Sequence, residues 1–302
     1  MNTQNQEYQY SKELFCIKTV SNLHVGSGSE NYGVIDNLIQ RDAATGFPCI
    51  HASSLKGAFR EFFVKDINFV DIKSRDEFIN HIFGSEKGSS EVADLEESDE
   101  ETSEEKEKPK VKHKTQPGKY RFLQADISSL PVRAMTVPYV NITCQAAIEN
   151  IQNLLGDKKI DLLITLHAKA NANAEVQFCK SGNIEIETDN KSLSYDPTDF
   201  SDIKPIIGSH PGIVQDETFV EAVSDFGLPV IARNQLNDGK SGNLWYEQVL
   251  PRETRLLFFV LVPKDDPHFE GFKKNLNNNF VQIGANASVG YGVCKISHIE
   301  LT

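Results

Sequence analysis

The sequence predicts an α+β fold, and three observations carry the prediction. Strand-like and helix-like patterns alternate along the chain in an antiparallel type of order. Residues 53–65 place Leu55, Ala58, Phe59, Phe62 and Phe63 at helical spacing, one apolar face of an α-helix. Residues 255–262, RLLFFVLV, form a continuous apolar run of the length of a strand buried on both faces. Together these point to a ferredoxin-like (RRM-like) core carrying long insertions.

Taken in order, residues 1–11 are polar and frayed, and 13–20 read as a first strand. The turn Gly26-Ser27-Gly28 ends it. Residues 29–50 form a loop with an apolar centre at Val34-Ile35 and a lone carboxylate, Asp36. Ser53 or Ser54 is a natural N-cap for the helix that follows, because a hydroxyl accepts from the open N–H groups of the first turn. Lys56 and Arg60, four apart, stack on another face of that helix. Gly57 leaves room beside them for a close approach.

A second helix runs through 74–83 and stops at Gly84. Residues 85–118 are an acidic insertion read as disordered, since Ser, Glu and Lys bury too little apolar surface to offset the ordering entropy. A strand at 120–128, a loop with a short strand at 130–143 and a helix at 144–155 come next. Residues 160–188 hold two strands, and 189–227 are too mixed to assign. The stretch 228–250 reads as a projecting β-hairpin around the turn-rich LNDGKSG. A short helix at about 268–278 and a glycine-rich loop, with Gly284, Gly290 and Gly292, lead into a final strand.

The chain has 302 residues and a net charge of −12, which at first argues against a nucleic-acid partner. The charge is unevenly spread. Residues 91–108 hold ten acids against Lys106 and Lys108, a net −8, so the remainder carries −4 and local basic patches decide the matter. The five cysteines are scattered with no C-x-x-C pair, which excludes an ordinary zinc site and fits a reducing cytoplasm. No signal peptide or long apolar span is present. Gly26-Ser27-Gly28 lacks the third glycine of a dinucleotide fingerprint and the Lys-Ser/Thr of a P-loop. It reads either as a tight turn or as a backbone contact to phosphate, and Gly284, Gly290 and Gly292 carry the same two readings.

Four stretches in the right order then show a resemblance. They are G-S-G with V-I-D-x-x-I-Q-R-D and T-G-F-P-x-I-x-x-S-S-L-K-G-A-x-R over 26–60, LPVRAMTVPYVNITC at 130–144, GNLWYEQVLPRET at 242–254, and VQIGANASVGYGV at 281–293. This pattern resembles the RAMP proteins of type III CRISPR systems, and more narrowly the repeated backbone subunit of the type III-B (Cmr) effector complex. The resemblance covers most of the chain, apart from the acidic segment. It implies one RAMP domain over 1–302, with the hairpin used as a thumb.

It also implies a function: binding guide CRISPR RNA, in several copies arranged as a helical filament with other Cmr subunits, and cutting complementary target RNA at regular intervals. The partners implied are the guide, the target, further copies of the chain and the other subunits, with no membrane. Alternatives are a guide-binding scaffold that does not cut, or the equivalent type III-A backbone subunit. Asp36, from pattern alone a turn-forming residue, matches the position of the cutting aspartate. There it would hold a magnesium or manganese ion or steer the ribose 2′-hydroxyl in line with the phosphate. His24 matches a position near the cut, and Glu247 one that approaches the same site from a neighbouring copy's hairpin. The relatives' W-Y-E-E-Y is here Trp245-Tyr246-Glu247-Gln248-Val249, without the second aromatic. Lys56, Arg60, Arg41 and Arg233 are the expected cations for RNA, with Ser53, Ser54, Gly57 and the glycine turns supplying close backbone approach.

Overall fold

The computed structural model describes residues 9–28, 33–85, 116–155, 175–178, 183–188, 191–199 and 204–301. Its centre is a mixed sheet of twelve described strands: β1 (Tyr10–Thr19), β2 (Cys49–Ile50), β3 (Arg121–Phe122), β4 (Ala125–Val132), β5 (Val140–Thr143), β6 (Val176–Gln177), β7 (Ile184–Glu185), β8 (Ser192–Tyr195), β9 (Pro211–Ile213), β12 (Arg255–Pro263), β13 (Phe280–Gln282) and β14 (Val293–Ile299). The numbers β10 (Val230–Asn237) and β11 (Lys240–Gln248) belong to a separate two-stranded sheet. The main order is β13-β14-β1-β12-β4-β5-β9-β6-β8-β7, with β2 on β4 and β3 on β12.

At the middle, β1 runs antiparallel to both β12, from Tyr10 opposite Pro263 to Lys18 opposite Arg255, and β14, from Leu14 opposite Ile299 to Thr19 opposite Cys294. Successive side chains of a strand point to opposite faces, and both faces here are covered. Phe15, Ile17, Phe258 and Val260 join one core with α1 (Ala52–Lys65), α2 (Ile72–Phe83) and Phe272 of a late helix. Leu14, Cys16, Leu257 and Phe259 join another with Ile148, Ile151 and Leu155 of α3 (Gln145–Leu155). That double burial is why 255–262 is apolar throughout.

The remaining α-helices among the described residues are α4 (Asp216–Ala222) and α5 (Phe269–Leu276). With β8 and β9, α4 fills the stretch that pattern alone left unassigned. The expected strand at 120–128 is divided into β3 and β4, and β4 runs on through Pro131, which lies opposite Asn141. Of the two strands expected in 160–188, the described part holds β6 and β7; residues 160–174 lie outside the described residues. So does most of the acidic insertion. Its two ends meet: Ser85 N–H donates to Gln116 O (3.0 Å), Gln116 N–H donates to Ser85 Oγ (2.8 Å), and Gly84 bridges Pro117.

The hairpin turns at Asp238-Gly239, both with positive φ (50° and 76°). Two such residues between paired strands match the twist of an antiparallel ribbon, which is why an Asp-Gly pair stands there.

Candidate functional site

The site forms where the loop after β1 crosses the base of the hairpin and the start of α1. Leu23 pairs with Leu250 and Gly26 with Ile39, while Asn37 forms a parallel bridge with Glu247. The loop is thereby stitched to β11 on one side and folded back on itself on the other. Asp36 lies at that stitch. Its Oδ2 accepts from the Tyr246 backbone N–H at 2.8 Å, and its side chain is exposed. Its Oδ1 has no hydrogen-bond partner among the described residues.

His24 is buried, 5% exposed. Its Nδ1 lies 2.7 Å from the Gln248 carbonyl oxygen; a carbonyl only accepts, so Nδ1 carries the proton and Nε2 is the open nitrogen. Nε2 would stand 3.3 Å from a Cβ placed on Gly26, so the glycine leaves room at that nitrogen.

A cleft of about 450 Å³ opens beside this loop, lined by Gly26, Gln40, Ser53, Ser54, Gly57 and Gly284 among others. It brings together the first glycine turn, the first turns of α1 and the C-terminal glycine-rich loop. A second cleft of about 430 Å³ adjoins it between α1 and α2, sharing Gly57 and Glu61 and adding Arg60 and Arg75. At Gly57 a Cβ would meet nothing within 4 Å, so the space in front of it is open.

Several expected roles change. The N-cap of α1 is His51, which makes no side-chain cap; the helix starts at Ala52, and Ser53 and Ser54 lie inside its first turn. The reason is Gln40, a buried amide. Its Oε1 accepts from His51 N–H (2.7 Å) and its Nε2 donates to Gly26 O (3.3 Å) and Ser54 Oγ (3.1 Å). Gln40 thus ties the glycine turn to the helix start and fixes the width of the cleft, a role its sequence gave no sign of beyond the I-Q-R-D match.

Arg41 is taken up by the fold: Nη1 donates to Gly46 O and Val223 O, both at 2.8 Å, and Nη2 pairs with Asp225 at 3.0 Å. Arg60 Nη1 donates to Gly84 O at 3.1 Å, at the end of α2. Lys56 is half-buried and has no ion-pair partner among the described residues. Gly284 (φ 78°) and Gly292 (φ 77°) serve packing, since a Cβ would lie 2.3 Å from His24 O and 2.0 Å from Ile283 O respectively. Gly290 (φ 83°) and Gly28 (φ 76°) meet nothing, and the turn itself requires them.

Glu247 adjoins the Asp36 loop of its own chain and is 5% exposed. Arg233 pairs with it at 3.2 Å. Trp245, Asn286 and Tyr291, none of them singled out from sequence, surround this pair. Four of the cysteines, Cys16, Cys49, Cys144 and Cys294, are free and buried, and burial raises the pKa of each thiol. Among the described residues no group of three or more His, Cys, Asp or Glu side chains is arranged to hold a metal, and no helix is long and apolar enough to cross a membrane.

The described residues thus form an α+β fold with an exposed loop carboxylate, Asp36, and a cleft walled in part by Gly26, Gly57 and Gly284. The sequence model of the RAMP superfamily matches residues 16–295, and the chain belongs to that superfamily. It is 27% identical over 313 residues to the CRISPR system Cmr endoribonuclease Cmr4 of Pyrococcus furiosus, an alignment covering 96% of each chain. Its fold is similar to chains in the apo state of the type III-B Cmr-beta complex (TM-score 0.74, 19% identity, 97% of this chain and 99% of that one) and in the type III-B Cmr-beta complex bound to cognate target RNA (0.68, 20%, 96% and 98%). It is also similar to oligomeric Cmr4 from Pyrococcus furiosus (0.61, 20%, 97% and 100%).

Proposed function

We propose that this chain is the guide-RNA-binding backbone subunit of a type III-B CRISPR complex and that it cuts complementary target RNA. The observation that carries the reading is Asp36: a carboxylate with one oxygen held by a backbone amide and the other open, in the loop whose Gly26 and Gln40 line the glycine-walled cleft. Likeness over 96% of both chains to a Cmr endoribonuclease supports it. Self-assembly into a filament and contact with other Cmr subunits follow by the same likeness, supported by the oligomeric and complex-bound neighbours. The core is read as ferredoxin-like, the hairpin as a thumb, 85–118 as a dispensable insertion, and the setting as the cytoplasm.

Guide phosphates lie in the cleft against Gly26, Gly57, Ser53 and Ser54, where missing side chains let the RNA backbone approach N–H and hydroxyl donors. Lys56 is the cation that remains for phosphate, because Arg41, Arg60 and Arg233 have structural partners. Base pairing, not side chains, then supplies sequence specificity.

At the target strand, Asp36 Oδ1 holds the ribose 2′-hydroxyl in line with the scissile phosphate and accepts its proton as the 2′-oxygen bonds to phosphorus and the bond from phosphorus to the 5′-oxygen breaks, the leaving 5′-oxygen taking a proton from water. His24 stands behind the glycine turn, its tautomer fixed by Gln248. A single exposed carboxylate fits a divalent cation only as an ion that keeps waters and shares phosphate oxygens. Asp36 would be the residue to hold magnesium or manganese, and the ion would neutralise phosphate charge.

The test is Asp36→Ala in a reconstituted complex with guide RNA and labelled complementary RNA. Target binding stays at the parent level while cutting falls by about a hundredfold or more, at every cut position together, since each copy carries the same residue. Normal cutting would leave a guide-binding scaffold.

A further inference from the structure

Glu247 stands one residue along β11 from the amide that holds Asp36, and its carboxylate accepts three hydrogen bonds from its own chain. Oε1 accepts from Trp245 Nε1–H at 2.7 Å. Oε2 accepts from Arg233 Nη1 at 3.2 Å and from Asn286 Nδ2 at 2.9 Å. Asn286 belongs to the C-terminal glycine-rich loop, where it takes a left-handed conformation (φ 65°) ahead of the short 3-10 turn Ala287–Val289. The Arg233 guanidinium lies 5.8 Å from the Trp245 ring centre and 5.5 Å from that of Tyr291. Opposed register places Arg233 across from Trp245 and Ile231 across from Glu247, so one face of the hairpin is turned onto the loop. Three segments of the chain therefore converge on one buried charge.

The same strand seats the Asp36 loop. Asn37 N–H donates to Tyr246 O (3.1 Å), Gln248 N–H donates to Asn37 O (2.9 Å), and Tyr246 N–H holds Asp36. Any shift of the hairpin base therefore moves Asp36 with it.

We propose that Asn286 and Glu247 form a positioning clamp for RNA cutting: their hydrogen bond fixes the hairpin base against the glycine-rich loop and so sets where Asp36 stands. The proposal rests on the reading of Asp36 given above. A carboxylate that already accepts three hydrogen bonds and is 5% exposed is poorly placed to take a proton from a substrate hydroxyl. It is well placed to hold Arg233, Trp245 and Asn286, since a buried charge persists only with such partners. Placement matters because a displacement of about 1 Å costs up to about a hundredfold in rate.

The experiment measures single-turnover cutting by the reconstituted complex on saturating labelled target, with target affinity in parallel. Asn286→Gly deletes the donor and keeps the left-handed backbone. It should cut about tenfold more slowly with unchanged target affinity, and Glu247→Gln should do the same. The double variant E247Q/N286D reverses the bond: the new amide at 247 donates to the new carboxylate at 286, which also retains a negative partner for Arg233. Its rate should return to within about threefold of the parent, as expected of two directly coupled groups.

A double variant as slow as Glu247→Gln would make Glu247 a catalytic group and overturn the clamp. Parent rates in Asn286→Gly and Glu247→Gln, with Asp36→Ala inactive, would overturn the clamp and leave the reading of Asp36 standing. Normal cutting by Asp36→Ala would overturn that reading, and the clamp with it. Should Asn286→Gly fail to assemble, Trp245→Phe removes another of the three donors to Glu247 while keeping a ring beside Arg233. It should slow cutting with unchanged target affinity, and a parent rate in that variant would overturn the proposal.

Discussion

The backbone N–H of Tyr246 donates to Asp36 Oδ2 at 2.8 Å, joining residues 210 apart in sequence. That bond separates two things a carboxylate does here, holding the loop and carrying charge. Asp36→Asn keeps an oxygen for Tyr246 and removes the charge. We expect it to melt at the parent temperature, bind guide and target as the parent does, and lose cutting by about a hundredfold. Asp36→Ala loses the bond as well, at a cost of about 1 kcal/mol. The two variants should therefore match in cutting and differ in urea midpoint. If Asp36→Asn cuts at the parent rate, the charge of Asp36 is not needed for the chemistry.

Lys56 carries the guide-affinity prediction. Changing Lys56 and Arg60 together would also break the Arg60–Gly84 contact at the end of α2, so Lys56→Glu alone is the clean variant. Guide affinity should fall and the slope of its logarithm against log salt should shrink by about one unit. A filter-binding series over several salt concentrations checks this. An unchanged slope would remove Lys56 from the interface.

How much of this was legible in the sequence depends on what each residue answers to. The apolar runs of α1 and β12 were legible because burial imposes a period along one element. Gly26, Gly57 and Gly284 were legible as points of close approach, since glycine marks that wherever it stands. The fates of Arg41 and Arg60 were not legible: a guanidinium looks the same in sequence whether it meets RNA or the carbonyls of Val223 and Gly84. Asn286 and Gln40 were missed for a related reason. Each acts through contacts with residues distant in the chain, and neither residue type carries a periodic signal. The N-cap shifted from the serines to His51 because Gln40 already engaged Ser54, a tertiary contact overriding a local preference.

Acid should expose a second polar cluster, away from the site. Asp266 accepts from His81 Nε2 (2.6 Å), the Tyr120 hydroxyl (2.9 Å) and His268 N–H (3.0 Å). Burial favours its neutral form, but these donors outweigh burial and hold the carboxyl below its ordinary value. A carboxyl depressed in the folded state binds fewer protons there than in the unfolded chain, so stability rises with pH across that window. The contribution is complete above about pH 4 and is lost as pH falls through the folded value. Tyr120→Phe removes one donor and raises the folded value toward the unfolded one. Its urea midpoint should therefore decline less steeply than the parent's below about pH 4, and an equal slope would show that Asp266 is not the titrating group.

Two glycines should respond to alanine with opposite signs. Gly57 is inside α1 with open space before it, so Gly57→Ala gains helix propensity, about 0.5–1 kcal/mol. Gly292 has φ 77°, and a Cβ would stand 2.0 Å from Ile283 O, so Gly292→Ala costs more than about 1 kcal/mol. Thermal melts of the isolated chain should move up for the first and down for the second. Guide binding adds the decisive contrast. The methyl at position 57 projects into the space where RNA is proposed to lie, so the stabilised variant should bind guide RNA more weakly than the parent. If Gly57→Ala instead raises both the melting temperature and the guide affinity, the phosphate backbone does not pass in front of Gly57, and the cleft between the glycine turn and α1 is not the guide's seat.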